Sequence, residues 1–181
     1  MTSTLRPKLI AICGSPGSGK TTAAEFFVAR YGAKLVDDGS FIREGCMSVY
    51  GLTREQVYTQ EGKASYVDVC GERFQVRQLL GDYGKLFEKK HGDQFVPERA
   101  VSTIDLTASH PWVFGSVRMN QGITYNKYGG IVIRIDGTSP DPVYDFDKWD
   151  ESLVNTVIPN KGTKQDLYRS ISTIFDPIYA L

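Results

Sequence analysis

The run Gly14-Ser15-Pro16-Gly17-Ser18-Gly19-Lys20-Thr21, followed by Thr22, fits the spacing GxxxxGK[ST], and each residue type in it has a purpose around a phosphate chain. Glycines let the backbone curl until successive N–H groups face one point, where the start of a helix adds its positive end. A lysine at the position of Lys20 reaches the β- and γ-phosphates, and the hydroxyl of Thr21 is a hard oxygen ligand suited to Mg²⁺. The ligand expected for Gly14 to Thr22 is therefore ATP, or a close relative, with its Mg²⁺ ion. Such a loop does not by itself separate kinases from ATPases and GTPases. A GTPase would carry a guanine reader of the NKxD type, and Asn160-Lys161-Gly162-Thr163 has a threonine where the acid belongs.

Phosphoryl transfer to a second polyanion needs cations beyond those that hold the donor. Arg43, Arg73, Arg77, Arg99 and Arg118 stand in helical text or at a strand end. Arg43 and Arg77 are favoured as acceptor-binding residues, and Arg118 as a catalytic one beside Lys20, a choice that rests on the family resemblance given below. The plain alternative for each is a solvated helix face or a surface ion pair. Arg134 lies inside a strand and could as easily be structural. Asp37 follows a short apolar run, at the kind of strand end where ligands of open α/β sheets gather. It is read as the third catalytic residue, orienting the acceptor or a Mg²⁺-bound water. For a hydroxyl acceptor it would serve as general base. A helix-capping carboxylate is its bland alternative, and Asp38, one residue on, is the reserve candidate and is placed with the substrate-binding residues. His91 and His110 have no partner spacing for zinc or for a triad. Phe41, Tyr50, Tyr58, Tyr66, Phe74, Tyr83 and Phe87 are dense in one region, where one or two could stack on a base while the rest form core.

These residues need elements to hold them. Leu9 to Cys13 is a short apolar run that ends at the glycine-rich turn, and Lys20 to Tyr31 carries helix-period apolar positions at Ala23, Phe26, Phe27 and Ala29. Ala33 to Val36 reads as a second strand, after which Ser40 is expected to cap a helix through about Tyr50. From Thr53 to about Ser109 the text is helical with charged faces and no convincing strand, the kind of insert that walls an acceptor pocket. Strand character returns at Trp112 to Phe114, Ile131 to Ile135 and Leu153 to Ile158, with helices at Asn120 to Tyr128 and Lys164 to Phe175. Gly137 to Asp147 reads as a loop. The fold class expected is α/β, a P-loop three-layer sandwich with a mainly parallel sheet, formed as a single domain over residues 1–181 with its insert at about 53–109.

Bulk properties narrow the partners. With 181 residues, of which 41% are hydrophobic, the chain buries a sizeable core. Its 21 basic and 21 acidic side chains cancel, so any polyanion must be met locally and no broad attraction to membrane or nucleic acid is expected. The three cysteines, Cys13, Cys46 and Cys70, are widely spaced without a CxxC pair. They point to a reducing cytoplasm in place of a disulfide framework or zinc site. No membrane span and no signal core is read, and a homodimer is admitted.

Two further stretches resemble nucleoside monophosphate kinases. Val36-Asp37-Asp38-Gly39-Ser40-Phe41-Ile42-Arg43 is similar to the segment after the second strand in cytidylate-kinase-like enzymes. In those enzymes an aspartate faces the phosphates, and an arginine one helical turn later binds the acceptor phosphate. Phe74 to Gly84, Val117-Arg118-Met119-Asn120, Gly129 to Ile135 and Val157 to Thr163 together resemble the phage-type deoxynucleoside monophosphate kinases, in the same order. Departures are visible. Ser116 and Gln121 stand where that family has acids, and Lys89 and Lys90 are the nearest substitutes for an arginine after Gly84. The resemblance implies transfer of the ATP γ-phosphoryl group to a (deoxy)nucleoside monophosphate. Two other readings stay open: a kinase of the same fold acting on a hydroxyl, in a small metabolite or a modified base in DNA, and a non-catalytic nucleotide-binding regulator.

Overall fold

The computed structural model describes residues 6–138, 142 and 144–179. Leu9–Cys13 forms strand β1, with all five residues buried. Its pleat alternates between two cores. Ile10 and Ile12 face one apolar cluster, while Leu9, Ala11 and Cys13 face another. A strand covered on both faces is the signature of a parallel sheet. The sheet has five strands in the order β2-β5-β1-β6-β7, all parallel, with β2 at Lys34–Val36, β5 at Trp112–Phe114, β6 at Ile131–Gly137 and β7 at Thr156–Asn160. Because every strand runs the same way, all five carboxyl ends reach one edge. The loops that leave that edge start after Cys13, Val36, Phe114, Gly137 and Asn160.

Helix α1, Lys20–Tyr31, and the last helix, Lys164–Tyr179, cover the first face. The last helix buries Leu167, Ile171 and Phe175 at four-residue spacing, which is one stripe of a helix. Phe175 meets Phe27 edge-on at 4.9 Å between ring centroids. Each such buried ring stabilises the fold by roughly 1.5–3 kcal/mol. At the rim, Arg30 Nη2 lies 2.7 Å from Asp176 Oδ2, and Tyr31 Oη donates to Asp176 Oδ1 at 2.8 Å. On the second face Phe114 packs on Tyr125 of the short helix Gly122–Lys127, with Ala100 and Val101 in the same cluster.

The chain divides into two compact units, Met1–Asp37 with Pro97–Leu181, and Asp38–Val96. The second unit begins with α2 (Ser40–Tyr50), continues through α3 (Arg54–Tyr58) and α4 (Gln60–Ala64), and then forms the hairpin β3 (Tyr66–Val69) and β4 (Glu72–Gln75). It closes with α5 (Val76–His91) and the start of α6 (Phe95–Ser102). The remaining helices, Gly122–Lys127 and Lys164–Tyr179, are α7 and α8. Cys46, Leu52, Val57 and Val76 make the small core of the second unit.

Three local expectations are corrected. Residues 53–109 do contain strands. Tyr66 to Val69 pairs antiparallel with Glu72 to Gln75 around Cys70-Gly71, both at positive φ (52° and 84°). That is the backbone of a two-residue hairpin turn, hidden because a cysteine occupies a place where asparagine is usual. Ser40 is the first helical residue and not the cap, which is Gly39 with no side-chain hydrogen bond. The strand expected from Leu153 starts only at Thr156. Asp150 Oδ1 accepts from Ser152 N at 2.9 Å and turns Glu151–Leu153 into a 3-10 segment. The loop expected at Gly137 to Asp147 is partly outside the described residues; Gly137 closes β6 and Asp145–Asp147 is a 3-10 turn.

Candidate functional site

The glycine-rich run leaves β1 and enters α1, so its backbone turns at the carboxyl edge of the central strand. Gly14 and Gly19 take φ values of 139° and 101°, which side-chain-bearing residues rarely adopt. A Cβ on Gly14 would also lie 2.7 Å from the Ile135 carbonyl oxygen. The loop therefore needs glycine at both places to keep its curl against β6. Lys20 Nζ donates to the Gly14 and Ser15 carbonyls, each at 2.8 Å, and this holds the ammonium over the start of the loop. Ser18 is 1% exposed, and its hydroxyl oxygen has no hydrogen-bond partner among the described residues. Thr21 is exposed and Thr22 half-buried on the first turn of α1.

This cradle fits a phosphate chain. The positive-φ glycines, the helix start and the lysine are the donors such a ligand requires. For Mg²⁺ the protein needs to supply little, since that ion keeps waters and takes phosphate oxygens with one or two protein ligands. Thr21, exposed on the first turn of α1, carries a hydroxyl oxygen of the hard kind that this ion takes.

Asp37 comes directly after β2. Val36, Phe114 and Ala11 share one register level across β2, β5 and β1. Asp37 is exposed, and it stands two strands, roughly 10 Å, to the side of β1. Asp38 is 7% exposed and opens the second unit.

After β5 the chain passes Gly115 and Ser116, and Val117 N donates to the Ile12 carbonyl at 3.0 Å. Arg118 is then clamped from two directions. Gln121 Oε1 accepts from Arg118 N at 3.1 Å, so Gln121 serves here to close a turn. Asp147, 8% exposed, brings Oδ1 to 3.4 Å from Arg118 Nη2. Main-chain bonds between Met119 and Lys148 (2.6 Å) and between Asp150 and Met119 (2.9 Å) fix the 147–150 segment beside it. Asp147 is an acid that the spacing of the sequence does not connect with Arg118.

Arg134 is structural in its contacts. Its Nη1 meets Asp136 Oδ1 at 3.2 Å, and its Nε lies 3.1 Å from Glu151 Oε1, out of line for a hydrogen bond. Cys13, beside it in register, is buried. Burial pushes its thiol up to about 12, the Glu151 charge adds to this, and Arg134 and Lys20 oppose it. Burial likewise holds the Cys46 thiol at about 12. Both stay protonated and inert near neutral pH. Cys13, Cys46 and Cys70 are all free.

The second unit carries its own cationic group. The Arg43 guanidinium lies 5.0 Å from the centre of the Tyr58 ring, and that of Arg54 lies 4.5 Å from the same ring. Arg77 Nη2 donates to Gln60 Oε1 at 2.8 Å. Tyr58 ends α3 and Gln60 opens α4, so Arg43 from α2 and Arg77 from α5 reach the same junction. Arg54 was not singled out by its sequence context, and only the fold brings it there. Arg73 instead covers Tyr66 on the hairpin, at 4.9 Å. Nearby rings form a row in which Phe87 stacks with Phe95 at 5.8 Å and meets Phe41 edge-on at 5.3 Å. His91 stacks on Phe95 at 4.7 Å, an ordinary packing role. Among the described residues no group of three or more His, Cys, Asp and Glu side chains could hold a metal, and no helix is long and apolar enough to cross a membrane.

No family model matches the chain. Among solved structures it is similar to shikimate kinase from Acinetobacter baumannii in complex with shikimate, at 15% identity and a TM-score of 0.35 over 96% of this chain and 79% of that one. Among curated proteins it is 28% identical over 185 residues to "Putative deoxynucleotide monophosphate kinase" of Acanthamoeba polyphaga mimivirus, covering 93% of this chain and 96% of that protein. The resemblance to deoxynucleoside monophosphate kinases read from the motifs thus has a counterpart that spans nearly the whole chain.

Proposed function

We propose that the protein is a kinase that moves the γ-phosphoryl group of ATP, with Mg²⁺, to the phosphate of a (deoxy)nucleoside monophosphate. The observation that carries this reading is that each compact unit has a cationic group of its own. One is Lys20 in the phosphate loop, and the other is Arg43 with Arg77 at the α3–α4 junction. A donor triphosphate and an acceptor monophosphate are two polyanions, and a phosphate acceptor needs positive charge of its own. The likeness to the mimivirus protein supports the same reading.

Lys20 and the loop amides hold and neutralise the transferring phosphates, Arg118 adds charge at the developing transition state, and Arg43 with Arg77 orients the acceptor phosphate. Thr21 would hold part of the coordination of Mg²⁺, which when bound would supply charge neutralisation to the phosphates. An acceptor phosphate is already ionised near neutral pH, so Asp37 places metal-bound water or orients the acceptor and removes no proton. Incubation with Mg-ATP and each ribo- or deoxynucleoside monophosphate, the bare nucleosides, and plain or modified duplex DNA, with ADP formation followed, tests the assignment. ADP should appear only with 5′-monophosphates. Equal turnover of a bare nucleoside would move the reading to a hydroxyl acceptor.

Asp37→Asn separates the acceptor classes further. It preserves shape and removes charge and basicity. Raised Mg²⁺ should recover part of the lost rate, because the defect lies in placing metal and water. With a hydroxyl acceptor, extra Mg²⁺ would leave the rate low, because the base is gone. A wild-type rate at every Mg²⁺ concentration would show that Asp37 has no part in the chemistry.

A further inference from the structure

Asn160-Lys161-Gly162-Thr163 does not continue as a guanine reader, and the fold gives Asn160 another occupation. Asn160 closes β7, Gly137 closes β6, and the two are register partners. Asn160 Nδ2 donates to the main-chain carbonyl of Ser18 at 2.9 Å, across 142 residues of sequence. A Cβ on Gly19 would collide with that same amide nitrogen, and a Cβ on Gly137 would lie 2.7 Å from Ser18 Cα and 2.8 Å from Ser18 O. The peptide between Ser18 and Gly19 is thus held from behind by the ends of two strands. Next to it in the chain, Lys161 Nζ lies 3.1 Å from Asp136 Oδ2 on β6.

The consequence follows from peptide geometry. The Ser18–Gly19 bond is trans, and in a trans peptide the C=O and the following N–H point in opposite directions. With the Ser18 oxygen turned to Asn160, the Gly19 N–H is turned away from it. A hydrogen bond accepted at the carbonyl also polarises the peptide and strengthens its N–H as a donor. We infer that Asn160 is a positioning residue whose side-chain amide aims the Gly19 N–H at the phosphates of the bound nucleotide. This rests on Gly14 to Thr22 being a phosphate loop, and it is independent of the identity of the acceptor.

Calorimetric titration of the 181-residue protein with Mg-ATP and, separately, with magnesium tripolyphosphate tests this. The variants are Asn160→Leu, nearly isosteric and uncharged, and Asn160→Ala. Both lose the donor, and each should weaken the two probes by the same factor, about 10-fold, the effect of one amide contact to a charged group. The acceptor KM should stay unchanged while the ATP KM rises. Thermal melts check the fold, and if the alanine variant fails to fold, the leucine variant decides. Weaker ATP binding with unchanged tripolyphosphate binding would overturn the inference and make Asn160 a contact to the base. Unchanged binding of both probes would overturn it as well. If both probes weaken and yet no monophosphate is phosphorylated, the inference stands and the kinase reading falls.

Discussion

Lys20→Ala is expected to lower kcat by at least about 10²-fold while leaving the fold intact, because Lys20 is the one basic residue in the run Gly14 to Thr22. Lys20 Nζ lies within 2.8 Å of the Gly14 and Ser15 carbonyls, so its charge is fixed by the same backbone that forms the cradle. Charge-assisted contacts to phosphate contribute about 1.5–3 kcal/mol each in binding. Their contribution grows in the transition state, where charge shifts toward the bridging and leaving oxygens. Circular dichroism and a thermal melt should match wild type, since a half-buried lysine on the first turn of a helix holds little of the core. Turnover at the wild-type rate would remove the loop from the chemistry and end the kinase reading.

Arg43→Ala and Arg77→Ala should each raise the KM for the monophosphate about 10–100-fold, which corresponds to one charged, hydrogen-bonded contact of roughly 1.5–3 kcal/mol. The KM for ATP should move much less. Both guanidinium groups reach the α3–α4 junction, one over Tyr58 and one on Gln60 Oε1, so their side chains are directed by contacts within the second unit. Lysine at either position should rescue only in part, because an ammonium restores charge without the planar two-pronged donor. Steady-state kinetics with each substrate varied in turn make the measurement. If a nucleoside without a 5′-phosphate is phosphorylated as fast as the monophosphate, and both alanine variants leave that rate alone, Arg43 and Arg77 do not serve an acceptor phosphate.

The parts of this protein that were legible in its sequence are those whose causes are local. Gly14 to Thr21 announces its turn because few backbones other than glycine adopt φ values such as 139° and 101°, and the apolar period of Lys20 to Tyr31 follows from helical geometry. The short apolar runs Leu9 to Cys13 and, but for Arg134, Ile131 to Ile135 suit strands of a sheet covered on both faces. The hairpin at Tyr66 to Gln75 is hard to read because Cys70-Gly71 carries a weak turn signal, and the strand before Ile158 begins later than its apolar text suggests because Asp150 competes for the backbone. Composition and spacing could not reveal that Asn160 braces Ser18, that Asp147 pairs with Arg118, or that Arg54 joins Arg43 on Tyr58. The first of these contacts joins residues far apart in the chain, and each depends on where folded elements end. A side chain's type states what it can bind, and only the packed strands and helices decide what stands within its 3 to 5 Å reach.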